Sequence, residues 1–187
     1  MTERALRLFA ALELPSAAVA ALAAFPVDEA VWRRVPPESL HVTLAFLGAT
    51  DPSRVLAITE ALDAAARDRC APKLALAGPV LLPPRRARVL SIALADRDGA
   101  LGALQARVSE GLAATGAYEP EQRAFRPHVT VARLRPRARA PRSVEATVEP
   151  LEFSGTAVTL FSSRTSPQGA RYEPLSKIPL EAGRKAD

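Results

Sequence analysis

RPHVTVARL, residues 126–134, repeats a pattern already present in SLHVTLAFLG, residues 39–48. The chain has only two histidines, and each opens a His-Val-Thr-aliphatic tetrad, at 41–44 and again 87 residues on at 128–131. Valine, threonine and branched aliphatics favour strands. Side chains alternate faces along a strand, so His41, Thr43, Ala45 and Leu47 are expected on one side, with Val42, Leu44 and Phe46 behind. His128, Thr130, Ala132 and Leu134 repeat the arrangement, with Val129 and Val131 behind. Each strand then presents an imidazole and a hydroxyl about 7 Å apart on one face and offers the other to a core. A single strand histidine is more often structural than catalytic. Strand composition does not explain why both histidines of the chain stand in the same tetrad.

Working outward, ALRLFAALEL (5–14) reads as a strand and PSAAVAALAAF (15–25) as a helix opened by Pro15. VWRRV (31–35) and the first tetrad are strand-like and joined by a Pro-Pro-Glu turn. Asp51 is placed to cap a helix running to about Arg69, with Pro52 in its first turn, and Cys70 at its end. PKLALAGPVLL (72–82) and ARVLSIALAD (87–96) flank a turn at Pro83, Pro84 and Arg85. Leu101, Leu104, Val108 and Leu112 predict a second long helix over 98–115, stopped by Gly116. After the second tetrad come a basic connector, RPRARAPR (135–142), and RSVEATVE (142–149), read as a short helix or strand. EFSGTAVTLFSSRT (152–165) and ARYEPLSKIPL (170–180) read as a closing hairpin around Pro167, Gln168 and Gly169. Strand, helix, strand, long helix thus occurs once before about residue 75 and again, loosely permuted, after it. The expected class is α+β, with two similar halves each contributing a sheet, in one domain over residues 1–187.

Net charge is +5, with arginines gathered at 85–88 and 123–142. Such a surface attracts phosphates over a Debye length of ~8–10 Å, although an Arg-rich composition alone is compatible with a solvated face. The single cysteine, Cys70, offers no disulfide framework, so a cytoplasmic protein is expected. Glu13 and Pro15 interrupt the apolar start, no apolar run reaches membrane-spanning length, and no membrane association is expected.

Two imidazoles facing one cleft supply a general acid and a general base together, because a pKa near 6.5 lets one be protonated and the other neutral at modest cost. A hydroxyl two residues on is placed to donate to a phosphate oxygen as charge gathers there. The chemistry this suits is in-line displacement at phosphorus. The chain has no H-E-x-x-H or C-x-x-C for zinc, no G-x-S-x-G elbow and no phosphate-cradling glycine loop, so no metal and no cofactor are expected.

The twin tetrads resemble the His-x-Thr-x motifs of the 2H phosphoesterase superfamily. RLFAALELP (7–15), WRRVPPESLHVTLAFLG (32–48) and FRPHVTVARL (125–134) are similar to its RNA 2′,3′-cyclic phosphodiesterase (2′-5′ RNA ligase-like) branch. The resemblance implies a bilobal α+β fold, two pseudo-symmetric halves each with an antiparallel sheet and helices, and an open central cleft. It implies opening of an RNA terminal 2′,3′-cyclic phosphate to a 2′-phosphomonoester without metal. His41 matches the proton donor to the departing 3′ oxygen, His128 the proton acceptor that activates water, and Thr43 and Thr130 the phosphate-binding hydroxyls. The near symmetry leaves the acid and base roles open on sequence alone.

Around these, Arg7 and Phe9 share a strand face, from which Phe9 is placed to stack on a base. Arg126 falls on the His128 face if that strand extends through Pro127. Arg133 matches a common family arginine, but strict alternation puts it on the reverse face, in a structural role. Trp32 is expected to pack behind the first tetrad and Tyr172 to fill core in the closing hairpin. The expected partner is RNA with a 2′,3′-cyclic phosphate end, or a cyclic nucleotide, and the default assembly is a monomer. The alternatives are another 2H activity, such as 2′-5′ ligation or cleavage, and an RNA-binding module without turnover.

Overall fold

A computed structural model describes residues 5–166 and 169–182. The strands are β1 (Leu6–Leu12), β2 (Trp32–Arg34), β3 (Val42–Thr50), β4 (Lys73–Leu82), β5 (Val89–Ala95), β6 (His128–Leu134), β7 (Glu152–Ser154), β8 (Ala157–Ser166) and β9 (Gly169–Pro179). The helices are α1 (Ser16–Ala24), α2 (Val55–Ala66) and α3 (Ala100–Ala114). The class is α+β, as the order of elements suggested. One half contributes β1, β3, β8 and β9, the other β4, β5, β6 and β7, and every ladder between them is antiparallel. The two sets join edge to edge where β3 meets β6, in the order β7-β4-β5-β6-β3-β1-β8-β9, with β2 also pairing with β6. The sheet curls into a half-barrel.

Helices α2 and α3 lie against one another and against this sheet, α3 on β3 and β4, α2 on β8 and β9. Their buried stripes are Ile58, Leu62, Ala65 and Ala66 in α2, and Leu101, Leu104, Val108 and Leu112 in α3. Asp51 accepts a hydrogen bond from the Ser53 N–H at 2.9 Å, the expected cap, although the first turn is a 3-10 turn that passes into α2. Asp96 caps α3 from just before it, accepting from the N–H groups of Leu101 and Gly102. Gly116 turns the chain out of α3 at φ 68°, a left-handed conformation that glycine adopts at no steric cost.

Two sequence expectations change, and a third lies outside the described residues. Helix α2 ends at Ala66, and Cys70 lies beyond it in a bridge to Glu181. RSVEATVE forms neither helix nor strand: Val144, Ala146 and Val148 pack half-buried against the core while the residues between them face solvent, so the segment is an extended strap without a ladder. The turn residues Pro167 and Gln168 lie outside the described residues, while β8 and β9 on either side pair as foreseen.

Gly155 lies between β7 and β8 where a Cβ would fall 2.6 Å from Leu12 Cδ1, and Leu12 is fully buried with nowhere to retreat. Gly155→Ala is therefore expected to destabilise the fold by about 1–3 kcal/mol, read as a lower denaturation midpoint at unchanged slope. An unchanged midpoint would show that this contact yields freely.

Candidate active site

Val42 and Val129 are direct partners across β3 and β6, 1% and 0% exposed, and both point into the core. The residues on either side of each valine point the other way, so His41 and Thr43 share a face with His128 and Thr130, all four half-buried. In an antiparallel pair centred on the valines, His41 lies beside Thr130 and Thr43 beside His128. The two tetrads, 87 residues apart in sequence, become one cluster at the junction of the halves. Opposed neighbours in such a pair stand ~4.5–5.5 Å apart and diagonal ones ~7–8 Å.

Each ring is held the same way. His41 Nδ1 lies 2.8 Å from the Ser39 carbonyl oxygen and His128 Nδ1 lies 2.7 Å from that of Arg126, in both cases two residues upstream. A carbonyl only accepts, so each Nδ1 carries a hydrogen and each Nε2 is left as the chemically available nitrogen. His41 Nε2 is 3.2 Å from Thr43 Oγ1. Thr130 Oγ1 is 3.3 Å from the hydroxyl of Ser91, a fully buried residue opposite it on β5. Ser91 escaped the sequence reading, although it is the one polar residue in the β5 run VLSIALA.

The surroundings of the two rings differ. His41 sits among aromatic side chains, with ring centroids 4.9 Å from Phe9, 5.4 Å from Tyr172 and 6.3 Å from Phe161. Desolvation by this burial pushes its pKa down to about 4; the Ser39 carbonyl works against the shift, and the positive charges of Arg133 and His128 add to it. His41 is thus neutral at neutral pH when the site is empty.

A departure from strict alternation, shared by both tetrads, reshapes the face. In β3 the register against β1 skips Leu44, since Ala11 pairs with Thr43 and Ala10 with Ala45. In β6 the register against β5 skips Val131, since Ser91 pairs with Thr130 and Leu90 with Ala132. The same bulge therefore follows each threonine, Ala45 and Ala132 turn into the core, and Phe46 and Arg133 return to the histidine face. Arg133 is not on the reverse face, as alternation required, but beside the site, on the His41 side. Phe46, at the equivalent place in the first half, is 63% exposed at the His128 end.

The other sequence candidates fall as follows. Phe9 points to this face but is only 3% exposed and stacks on Phe161 at 5.2 Å, so it backs the His41 ring and leaves Phe46, 6.2 Å away, as the accessible aromatic. Arg7 is exposed on the same side of β1, opposite Ala49, four residues along from the Ala11 that faces Thr43. Strand β6 begins at His128, so Arg126 precedes it; its side chain is exposed and its carbonyl anchors the imidazole. Trp32 is buried, as expected. Tyr172 lies at the edge of the site against His41 instead of in the core. Among the described residues no group of three or more His, Cys, Asp or Glu side chains is assembled to hold a metal, and no helix is long and apolar enough to cross a membrane.

This arrangement can be set beside known proteins. The sequence profile of the 2′-5′ RNA ligase superfamily matches residues 13–167. The chain belongs to that superfamily. Among superfamily relatives, a Geobacillus stearothermophilus protein named RNA 2′,3′-cyclic phosphodiesterase is 31% identical over 92% of this chain, and the chain spans only 56% of its length. A Thermus thermophilus protein of the same name is 32% identical over 96% of this chain and 94% of its own. Of solved structures, TT0787 of Thermus thermophilus superposes with a TM-score of 0.79 at 26% identity, covering 95% of this chain and all of that one. E. coli LigT complexed with 3′-AMP superposes with a TM-score of 0.78 at 25% identity, over 94% and 98% of the two chains.

Proposed function

We propose that this superfamily member hydrolyses the 2′,3′-cyclic phosphate at an RNA end to a 2′-phosphomonoester, without metal, using its two imidazoles as acid and base. The observation that carries this reading is the twin anchoring of the rings: one sheet face holds two histidines whose Nδ1 atoms are tied back in the same way and whose Nε2 atoms are both available. The names of the curated relatives agree with it, and LigT was captured with a nucleotide.

In the reaction, His128 Nε2 takes a proton from water as the water oxygen attacks phosphorus. The P–O3′ bond breaks opposite, and His41 Nε2 gives its proton to the departing 3′ oxygen, leaving the phosphate on O2′. Solvent returns the proton from His128 to His41. His41 is neutral in the empty site, so it must gain its proton as substrate binds. The anionic phosphate arriving at Nε2 offsets the charge of Arg133 that opposes protonation. Thr43 and Thr130 donate to the non-bridging oxygens, the latter aligned by Ser91, and Phe46 offers its open ring to the terminal base. The donor and acceptor roles follow the resemblance. A phosphodiester with a p-nitrophenolate leaving group, which needs no proton, tests them: loss of the acid should then cost far less than loss of the base.

Thr43→Ala and Thr130→Ala are each expected to raise the barrier by about 1–3 kcal/mol, seen mainly in kcat. A change confined to KM would place the hydroxyls in ground-state binding instead. The function itself is tested by turnover of a cyclic-phosphate-ended oligonucleotide in EDTA and identification of the product. A 2′-phosphate is expected; a 3′-phosphate, joined strands, or activity that requires added zinc would contradict the reading.

A further inference from the structure

The bulge after each threonine leaves one backbone carbonyl to be satisfied. In the second half it is that of Val131, and the backbone serves it: the Val35 N–H, just past β2, donates to it at 2.8 Å. Strand β2 lies on the side of β6 away from β5, so the bulged carbonyl turns from the strand whose register it interrupts. In the first half the matching carbonyl is that of Leu44. Strand β3 meets β6 only at Val42, so among the described residues no strand supplies an N–H on that side. The donor is instead a side chain from α3: Gln105 Nε2 donates to the Leu44 carbonyl oxygen at 3.2 Å. Gln105 stands one turn on from Leu101 and one turn before Val108, both fully buried, and is itself half-buried. An apolar side chain is the ordinary choice on such a stripe.

What the bulge at Leu44 holds in place is Phe46. Strict alternation would put Ala45 on the histidine face and Phe46 in the core, and a slip of one residue exchanges the two faces. The Phe46 ring stands 63% exposed, so hydrophobic burial favours the slipped arrangement. A bulge whose carbonyl found no donor would add the cost of an unsatisfied polar group to that pull, and the Gln105 amide removes this cost. We infer that Gln105 is a positioning residue: acting through the Leu44 carbonyl, it keeps Phe46 on the histidine face and so sets this protein's preference for substrates that carry a base. The inference rests on the reading of Phe46 as the platform for the terminal base. Gln105 acts from α3, behind the sheet, and touches no substrate itself.

The test compares kcat/KM for 2′,3′-cyclic AMP with that for glycerol 1,2-cyclic phosphate, which has the same five-membered ring and no base. It is run in the parent, Gln105→Met, Phe46→Ala and the double variant. The ratio cancels any loss of folded enzyme. Phe46→Ala should lower the ratio roughly tenfold or more. Gln105→Met, of similar length but without the donor, should lower it roughly threefold or more. In the Phe46→Ala background Gln105→Met should leave the ratio where it is, the coupling expected when one residue acts through the other. A merely structural glutamine would slow both substrates alike. A ratio unchanged in Gln105→Met or in Phe46→Ala, or a further fall in the double variant, therefore overturns the inference and leaves the cyclic phosphodiesterase reading intact. If the parent opens neither substrate, that reading fails instead. Equilibrium binding of 2′-AMP against inorganic phosphate in the same four proteins then decides the role of Gln105 separately, by the same loss of preference or its absence.

Discussion

Alanine in place of His41 or of His128 is expected to lower the rate of cyclic phosphate opening by roughly 10²–10⁴-fold, the range for loss of a positioned acid or base. The geometry adds a stronger expectation. In the proposed reaction the two rings act on one phosphorus, so the acid has little to protonate until the base has activated water. The double variant should then be scarcely slower than the worse single one, as for groups that work as a unit. Full multiplication of the two losses would mean that the imidazoles serve separate steps. Because His41 packs against Phe9 and Tyr172, the rates are compared at equal folded fraction, set by denaturation of each variant. Retained hydrolysis in either variant would remove the paired mechanism, and retained RNA binding with no turnover in the parent would favour the binding-module alternative.

The second large effect is in pH. In the proposed reaction the active form carries one proton shared between two imidazoles, whichever ring holds it at the moment of reaction. As pH falls the pair takes up a second proton and loses its base. For the free enzyme this step involves His41, whose pKa burial holds at about 4, so kcat/KM should stay high well below pH 6 and fall only near pH 4. The lowering at His41 comes first from desolvation and then, against the Ser39 carbonyl, from Arg133 and His128. Arg133→Gln should accordingly move the acidic limb upward, and His41→Ala should abolish it. An acidic limb near the unperturbed 6.5 in the parent would show that the aromatic surroundings of His41 admit water freely.

The clustering of the two tetrads was legible because they are local and duplicated: strand alternation put each histidine with its threonine, and the equal partners Val42 and Val129 at the junction did the rest. What alternation missed begins one residue later. Leu44 and Val131 are bulged, and nothing in LHVTLAF or HVTVAR marks either as an extra residue, since a bulge is defined by the register of a neighbouring strand. Phe46 was thereby assigned to the core and Arg133 to the back of the sheet. Ser91 and Tyr172 were missed for a related reason: they reach the site from β5 and β9, and only the sheet order brings those strands there. RSVEATVE misled in another way. Its alternation is real, but it records half-burial against the core, not strand pairing.

Since the chain contains just two histidines, ¹⁵N NMR of its imidazoles gives the most direct test of whether both rings meet one phosphate. On titration with a nucleoside 2′-phosphate, the account predicts that both Nε2 resonances move together along a single binding curve while both Nδ1 resonances, tied to the Ser39 and Arg126 carbonyls, move little. A response from only one ring, or two curves with different midpoints, would contradict it.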